Sequence, residues 1–268
     1  MPVHALVLVL AAAAGHAIWN TLLAGRKDIQ AATVAALICG LVAFTPAVIA
    51  TWSFTAAAWP WLIGSAVLEL GYFLVLTYAY ERFELSLVYP VARGLAPVLV
   101  LAVGTAFLGV GATALQVAGV VVVSGGVLLV RRREKGQLLG VALGALIACS
   151  IMGFTLIDRE GIQHAGTIPF FWLAILPSAL AGAVIRRREL RAAFDRRTFV
   201  VGIAMFGGYA LYLFGLRVSP PHAAQATRES SIAMTTLLAA FFLKEQVTPR
   251  RWCGVAVVLA GVVLIALS

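Results

Sequence analysis

The chain has 268 residues, 62% of them hydrophobic and only 12% charged, with a mean hydropathy of +1.00 and a net charge of +9. Soluble domains run about 45–50% apolar and about 25% charged, so a water-soluble protein is excluded and no room is left for a soluble domain of ordinary size. Runs of about 20 apolar residues separated by short polar breaks read as an all-α integral membrane protein.

In chain order the apolar spans run from Val3 to Leu23, Ala31 to Thr51, Trp59 to Tyr80, Leu85 to Phe107 and Thr113 to Val130. A second set runs from Gln137 to Ile157, Ile168 to Ile185, Phe199 to Leu216, His222 to Leu243 and Trp252 to Leu267. Turn or charge chemistry marks the breaks at Gly25 to Asp28, Glu81 to Glu84, Arg131 to Gly136, Arg186 to Arg197, Ser219 to Pro221 and Lys244 to Arg251. Only Gly109 and Gly111 punctuate the fourth and fifth spans. The first span carries a small-residue Ala14-Gly15-His16-Ala17 segment but lacks the positive leader of a signal peptide, so it is read as a retained helix. Cys39, Cys149 and Cys253 are odd in number and lie in apolar runs, as small core residues do, which argues against a disulfide framework or a metal site.

The two sets are related. Laying Ala92 to Val130 over Thr227 to Ile265 without a gap superposes Arg93 on Arg228, Phe107-Leu108 on Phe242-Leu243, Thr113 on Thr248, Gly119 on Gly254 and Gly126 on Gly261. The expected fold is ten transmembrane helices as two five-helix repeats, residues 1–130 and 136–268. An odd number of helices per repeat makes the second enter the membrane in the opposite direction, so the repeats are inverted.

Of the 20 Lys and Arg residues, the loops after the odd-numbered spans hold all but four. Arg93 and Arg228 lie within spans, and Arg159 and Arg217 lie on the other side. This asymmetry places the odd-numbered loops in the cytoplasm and both termini outside, in the inner (plasma) membrane. A basic face beside anionic lipid accounts for the high charge, and nucleic acid is excluded as a partner. The partners expected are a small-molecule substrate and the lipid bilayer, with a homodimer left open; no cofactor is implied.

A charge within the hydrocarbon region costs about 2.5 to 3.5 kcal/mol or more, so Glu69, Arg93, Arg228 and Glu229 each require a reason. At ~1.5 Å per residue Arg93 lies roughly 9 to 12 Å along the fourth span and Arg228 about as far along the ninth. With those spans opposed, one arginine falls in each leaflet half, as an inward and an outward anion gate would have it. Arginine offers forked donors matched to carboxylate or phosphate. The alternative is helix locking, with Arg93 paired to Glu69 and Arg228 paired to Glu229 or to a carbonyl.

Pro90 and Pro97 each remove a helical hydrogen bond and free carbonyls near Ser86 and Arg93. Tyr89, Arg93 and Pro97 form one stripe, and Gln225, Arg228, Ser231 and Thr235 form the equivalent stripe on the ninth span. His16 and Asn20 share a face of the first span beside Trp19. Ser65, Glu69 and Tyr72 share a face of the third, and Tyr209 and Tyr212 a face of the eighth. The substrate-binding set is therefore Arg93, Arg228, Asn20, Trp19, Tyr89, Gln225, Ser231, Tyr209 and Tyr212. Glu69, Glu229 and His16 are the proton-coupling candidates, Glu69 first because burial and a nearby arginine both act on it. Trp52, Trp59, Trp61 and Trp252 suit interfacial anchoring. The sequence has no HExxH, GxSxG, CxxC or phosphate-loop pattern, and no aspartate inside a span as drawn. Metallo- and serine hydrolases, aspartyl intramembrane proteases and ATPases therefore lack their minimum equipment.

The segment His16-Ala-Ile-Trp-Asn20, the Tyr89-Pro90 to Pro97 helix, Phe242-Leu243-Lys244-Glu245 and the Gly254 to Gly261 stretch resemble the EamA-like branch of the drug/metabolite transporter superfamily. The resemblance covers nearly the whole chain. It implies a ten-helix secondary transporter whose central cavity is lined mainly by helices one, three, four, six, eight and nine, exporting or exchanging small metabolites such as amino acids. Val110 stands where the first repeat usually has a glutamate, at a helix end where capping is affected. The arginines point to an anionic or zwitterionic substrate moved by alternating access. A non-transporting sensor or scaffold on the same fold is the alternative, and an intramembrane enzyme is disfavoured.

Overall fold

The computed structural model describes residues 1–23, 26–83, 85–129, 138–241 and 246–268. Its helices are α1 (Val3–Leu23), α2 (Ile29–Ala50), a 3-10 turn at Ala56–Ala58, α3 (Trp59–Arg82), α4 (Leu85–Phe107), α5 (Ala114–Leu129), α6 (Leu138–His164) and α7 (Thr167–Ile185). They continue with the short α8 (Leu190–Ala193), then α9 (Arg196–Arg217), α10 (Pro221–Arg228), α11 (Ser230–Phe241) and α12 (Pro249–Ala266). Eight are long and apolar enough to cross a membrane, and α5 is a shorter apolar helix. This is an all-helical membrane protein; among the described residues the one β feature is an isolated bridge between Phe54 and Ala165.

The first eight spans and the tenth each correspond to one helix, with two differences that matter. The sixth extends beyond Ile157 to His164, which carries Asp158 inside the helix. The ninth, expected as one helix from His222 to Leu243, is two, separated at Glu229. The charged Glu84, the Arg131 to Gly136 run, and Phe242 to Glu245 lie outside the described residues.

Helix ends follow local chemistry. Asp28 accepts from Ala31 N at 2.9 Å and Asp195 from Thr198 N at 2.7 Å, each capping the helix that follows. The repeat-matched threonines do the same work: Thr113 Oγ1 accepts from Gln116 N at 3.2 Å, and Thr248 Oγ1 from Arg251 N at 3.4 Å. Gln116 returns the bond by accepting from Thr113 N, completing a capping box. At the end of α4, Gly109 adopts φ +62° and Val110 N donates to Gly104 O at 2.9 Å, a left-handed cap that closes this helix without the missing glutamate.

In the bundle α1 lies along α9 and α6 along α3; α2 also meets α9, and α7 meets α3. Helix α4 lies along α6, while α10 and α11 lie along α1, and α5 pairs with α12. Backbones touch where glycines align. A Cβ on Gly119 would stand 2.9 Å from Gly261 O, and one on Gly126 2.9 Å from Gly254 O, so α5 and α12 run antiparallel at contact distance. The contacts of Gly140 with Leu87 and of Gly144 with Val91 set α6 parallel to α4.

The end of the bundle that carries the basic loops is tied by charge. Arg26 forks onto both Asp195 oxygens at 2.6 Å, and Arg186 bonds Glu81. The guanidinium, with the Thr198 N–H, holds the Asp195 carboxyl well below the usual carboxylate range. The opposite end is tied by backbone: Gly166 N donates to Ser53 O at 2.7 Å and Thr55 N to His164 O at 3.1 Å.

Candidate functional site

Helix α4 delivers Arg93 to the centre of the bundle. It runs unbroken through Pro90 and Pro97, and Val88, Ala92 and Ala96 on it are fully buried. Arg93 itself is 7% exposed, too buried for water to carry its charge. Its partner is Glu229, 0% exposed, with Nε 3.0 Å from Oε2. The pairing is neither of those expected from sequence, since Glu69 does not take Arg93 and Glu229 does not take Arg228.

The break between α10 and α11 makes this pairing possible. Adjacent residues on a regular helix point about 100° apart. Within the run Thr227-Arg228-Glu229-Ser230-Ser231 the two adjacent charges take partners on different helices, Glu229 on α4 and Arg228 on α9. At the break Glu229 N donates to Ala226 O at 3.1 Å and Ile232 N to Glu229 O at 3.0 Å, tightened bonds of the three-residue kind. Glu229 then faces α4 while Arg228 faces α9. The stripe of Gln225, Arg228, Ser231 and Thr235 is accordingly divided between two helices; Ser231 is buried with a hydroxyl that has no partner among the described residues.

Arg228 is 9% exposed and makes no ion pair among the described residues. Its guanidinium carbon lies 4.8 Å from the centre of the Tyr209 ring and 4.5 Å from that of Tyr212. The aromatic faces attract the cation while leaving its N–H fork free for an acceptor. A chain of hydrogen bonds joins this to the Arg93 pair. Tyr212 Oη donates to Gln225 Oε1 at 2.8 Å, and Gln225 Nε2 donates to Glu229 Oε1 at 3.2 Å. Tyr89 flanks Arg93, with the guanidinium carbon 6.0 Å from its ring centre.

The other arm of the network ends on a residue absent from the sequence-derived set. Asp158, 2% exposed, accepts from Ser65 Oγ at 2.5 Å and from Tyr209 Oη at 2.9 Å. Glu69, one helical turn from Ser65 on α3, is buried and lies within electrostatic reach of Asp158 and Arg228. The charged pair Arg159-Glu160 masks the signal in the sequence, because hydropathy ends the span just before Asp158. An aspartate does therefore lie inside a span, contrary to the expectation. What stands against an aspartyl protease is that the other two aspartates, Asp28 and Asp195, cap helices at the bundle's end.

On α1, His16 stands within electrostatic reach of both arginines and meets the Trp19 ring edge-on at 4.7 Å. Trp19 packs on the apolar cluster of Leu23, Ala32, Ala36 and Val201. Asn20 Nδ2 donates to the His16 carbonyl of its own helix at 2.8 Å. These three residues therefore border the site, whereas Arg93, Arg228, Tyr89, Gln225, Tyr209, Tyr212, Glu69 and Glu229 meet within it. The two arginines converge on one network, sharing His16, Tyr72 and Tyr89 as neighbours, instead of standing in separate gates. A cavity of about 570 Å³ opens at the end opposite the basic loops, lined by the α4–α5 turn, Arg159, Arg217 and Ser219.

Residues 136–267 match the model of the EamA-like transporter family. This segment is EamA-like. The match is in keeping with the drug/metabolite transporter superfamily, whose EamA-like members are membrane transporters and not enzymes. A solved structure described only as "Crystal structure of protein" superposes with a TM-score of 0.78 at 15% identity, covering 100% of this chain and 98% of its own. That likeness extends the fold beyond the EamA-like segment to the whole chain. No curated protein matches the sequence.

Proposed function

We propose that the protein is a secondary transporter that moves a small anionic or zwitterionic metabolite, an amino acid being the type case, across the inner membrane by alternating access. The observation that carries this reading is Arg228, a buried cation held on two tyrosine faces with no carboxylate partner among the described residues. A buried unpaired charge is costly, and a structural arginine is normally matched by an acid, as Arg93 is by Glu229. Arg228 has no carboxylate at ion-pair distance among the described residues and rests on aromatic faces, which suit a cation that takes and releases an anion.

The finer architecture belongs to the same reading. Ten crossings follow if α10 and α11 together make one, and two inverted five-helix repeats, 1–130 and 136–268, follow from the sequence register. The packing supports it: α1 on α9 mirrors α6 on α3, and α4 on α6 mirrors α10–α11 on α1. The contacts Gly119–Gly261 and Gly126–Gly254 exchange under the register, as a two-fold axis requires. Substrate binds between Arg228, Tyr209, Tyr212, Gln225 and Ser231, with Arg93 and Tyr89 opposite. Glu69 is the proton-coupling acid, Glu229 serves as the counter-ion of Arg93, and His16 borders the site. The basic loops face the cytoplasm.

Uptake and counterflow of labelled amino acids, organic acids and phosphate esters in proteoliposomes test the reading. Saturable movement of one class, lost in Arg228→Gln, is the expected result. Undiminished transport by that variant overturns the anion site.

A further inference from the structure

We propose that Asp158, with Glu69 beside it, is a proton-binding site linked to Arg228 through Tyr209, so that a proton and an anion occupy the centre of the bundle together. The inference rests on the reading of Arg228 as the anion holder.

The first ground is the hydrogen bonding of Asp158. Each of its oxygens meets a hydroxyl, Ser65 Oγ and Tyr209 Oη, and not a guanidinium or an amide. A hydroxyl can donate to a carboxylate or turn to accept from a carboxylic acid, so both protonation states are satisfied without rearrangement. Glu229 differs: its oxygens meet the Arg93 guanidinium and the Gln225 amide nitrogen, groups that only donate.

The second ground is the charge balance. Asp158 is faced from α3 by Ser65 and Glu69, with Tyr72 next to Glu69, from α9 by Tyr209 and Tyr212, and from α10 by Arg228. From α4 the charged group is Arg93, already matched by Glu229. From α7, Phe171 covers the Tyr209 ring, and the 3-10 turn Ala56–Ala58 contributes no ionisable group. One cation, Arg228, is thus shared by two acids. One proton on the Glu69–Asp158 pair neutralises the set, and an anion arriving at Arg228 requires a second. A buried uncompensated charge costs several kcal/mol, so anion and proton binding favour each other.

The third ground is the position of Tyr209. Its hydroxyl donates to Asp158 at 2.9 Å while its ring carries Arg228 at 4.8 Å. Protonation of Asp158 removes a negative charge that would repel an anion arriving at Arg228.

Infrared titration of the carboxyl C=O band in purified protein in lipid, with no substrate added, tests the proton site directly. Asp158→Asn should remove a band that wild type shows. Ser65→Ala and Tyr209→Phe, which change no charge, should keep it and raise its midpoint. Arg228→Gln should raise the midpoint by about one pH unit or more. A spectrum unchanged in Asp158→Asn, or a midpoint indifferent to Arg228→Gln, overturns the proposal. Proteoliposomes containing a trapped pH dye and offered L-glutamate, succinate and glycerol 3-phosphate test the link. Movement of a compound should acidify the lumen, with affinity rising up to about tenfold per unit fall in pH. Asp158→Asn should lower the number of protons moved per compound moved. If the bands shift as expected and none of the compounds moves, the anion-transport reading fails and the proton site stands. Movement without acidification, or movement that requires sodium, overturns the coupling and leaves the transport reading standing.

Discussion

Helix α4 and the α10–α11 pair occupy the same register of the sequence repeat, each carries a buried arginine, and they solve the problem of burying it in opposite ways. Helix α4 has two prolines and remains one helix, and its arginine finds an acid on another element. The α10–α11 segment has no proline after Pro221 and breaks, and its arginine finds only aromatic faces. The break therefore goes with two adjacent charges that face different helices, and not with missing N–H groups. By contrast, α5 and α12 are matched in register and alike in structure, down to the capping threonines and the glycine contacts. The segments matched by the sequence register are alike where α5 meets α12 and unlike where they hold charge.

The sharpest way to break this comparison is to remove Glu229. Glu229→Gln strands Arg93 and should cost about 3–5 kcal/mol in thermal unfolding of the purified protein. The double variant Arg93→Met, Glu229→Met should recover most of that stability. If it also recovers transport, the pair is only a lock between α4 and the break. Next in size is the contact where the halves agree. Gly119→Ala drives a methyl against Ile265 and the Gly261 carbonyl and should cost about 1–3 kcal/mol, while Gly125→Ala on the same helix meets nothing within 4 Å and should be neutral or slightly stabilising. Unfolding midpoints of the two variants decide it, and equal effects would remove the close crossing of α5 and α12.

A smaller effect separates the two roles of Tyr212. Tyr212→Phe loses the bond to Gln225 but keeps the face under Arg228, so it should cost about 0.5–1.5 kcal/mol and retain substrate affinity. Tyr212→Leu should lose affinity as well, measured by transport saturation. The smallest effect lies at the charged end of the bundle. Asp195 has a depressed pKa in the fold, so its contribution is present above the ordinary carboxylate range and is lost as pH falls through and below it. The stability difference between wild type and Arg26→Gln should therefore exist at neutral pH and vanish in acid. A difference that persists in acid would assign it to packing of the Arg26 stem.

The sequence made the spans legible because apolar length alone specifies them, and it made the buried charges legible because nothing else in those spans is charged. Three things were beyond its reach. The partner of Arg93 depends on which of two glutamates the packing of α4 against α10 brings near, which no local pattern encodes. Asp158 was hidden by Arg159 and Glu160, whose charges end a hydropathy window although the helix continues to His164. The break at Glu229 was hidden because Thr, Ser and Glu are admissible in helices, and only the packing makes Arg228 and Glu229 face different helices.

The crossing of α5 and α12 also limits how the bundle can change shape. At two points seven residues apart the glycines bring backbone against backbone with no side chain of their own to yield, so the seam cannot be compressed at those points. Under the alternating access proposed above, a rearrangement that opens the centre to one face would pivot on that line, with the largest displacements on the helices farthest from it.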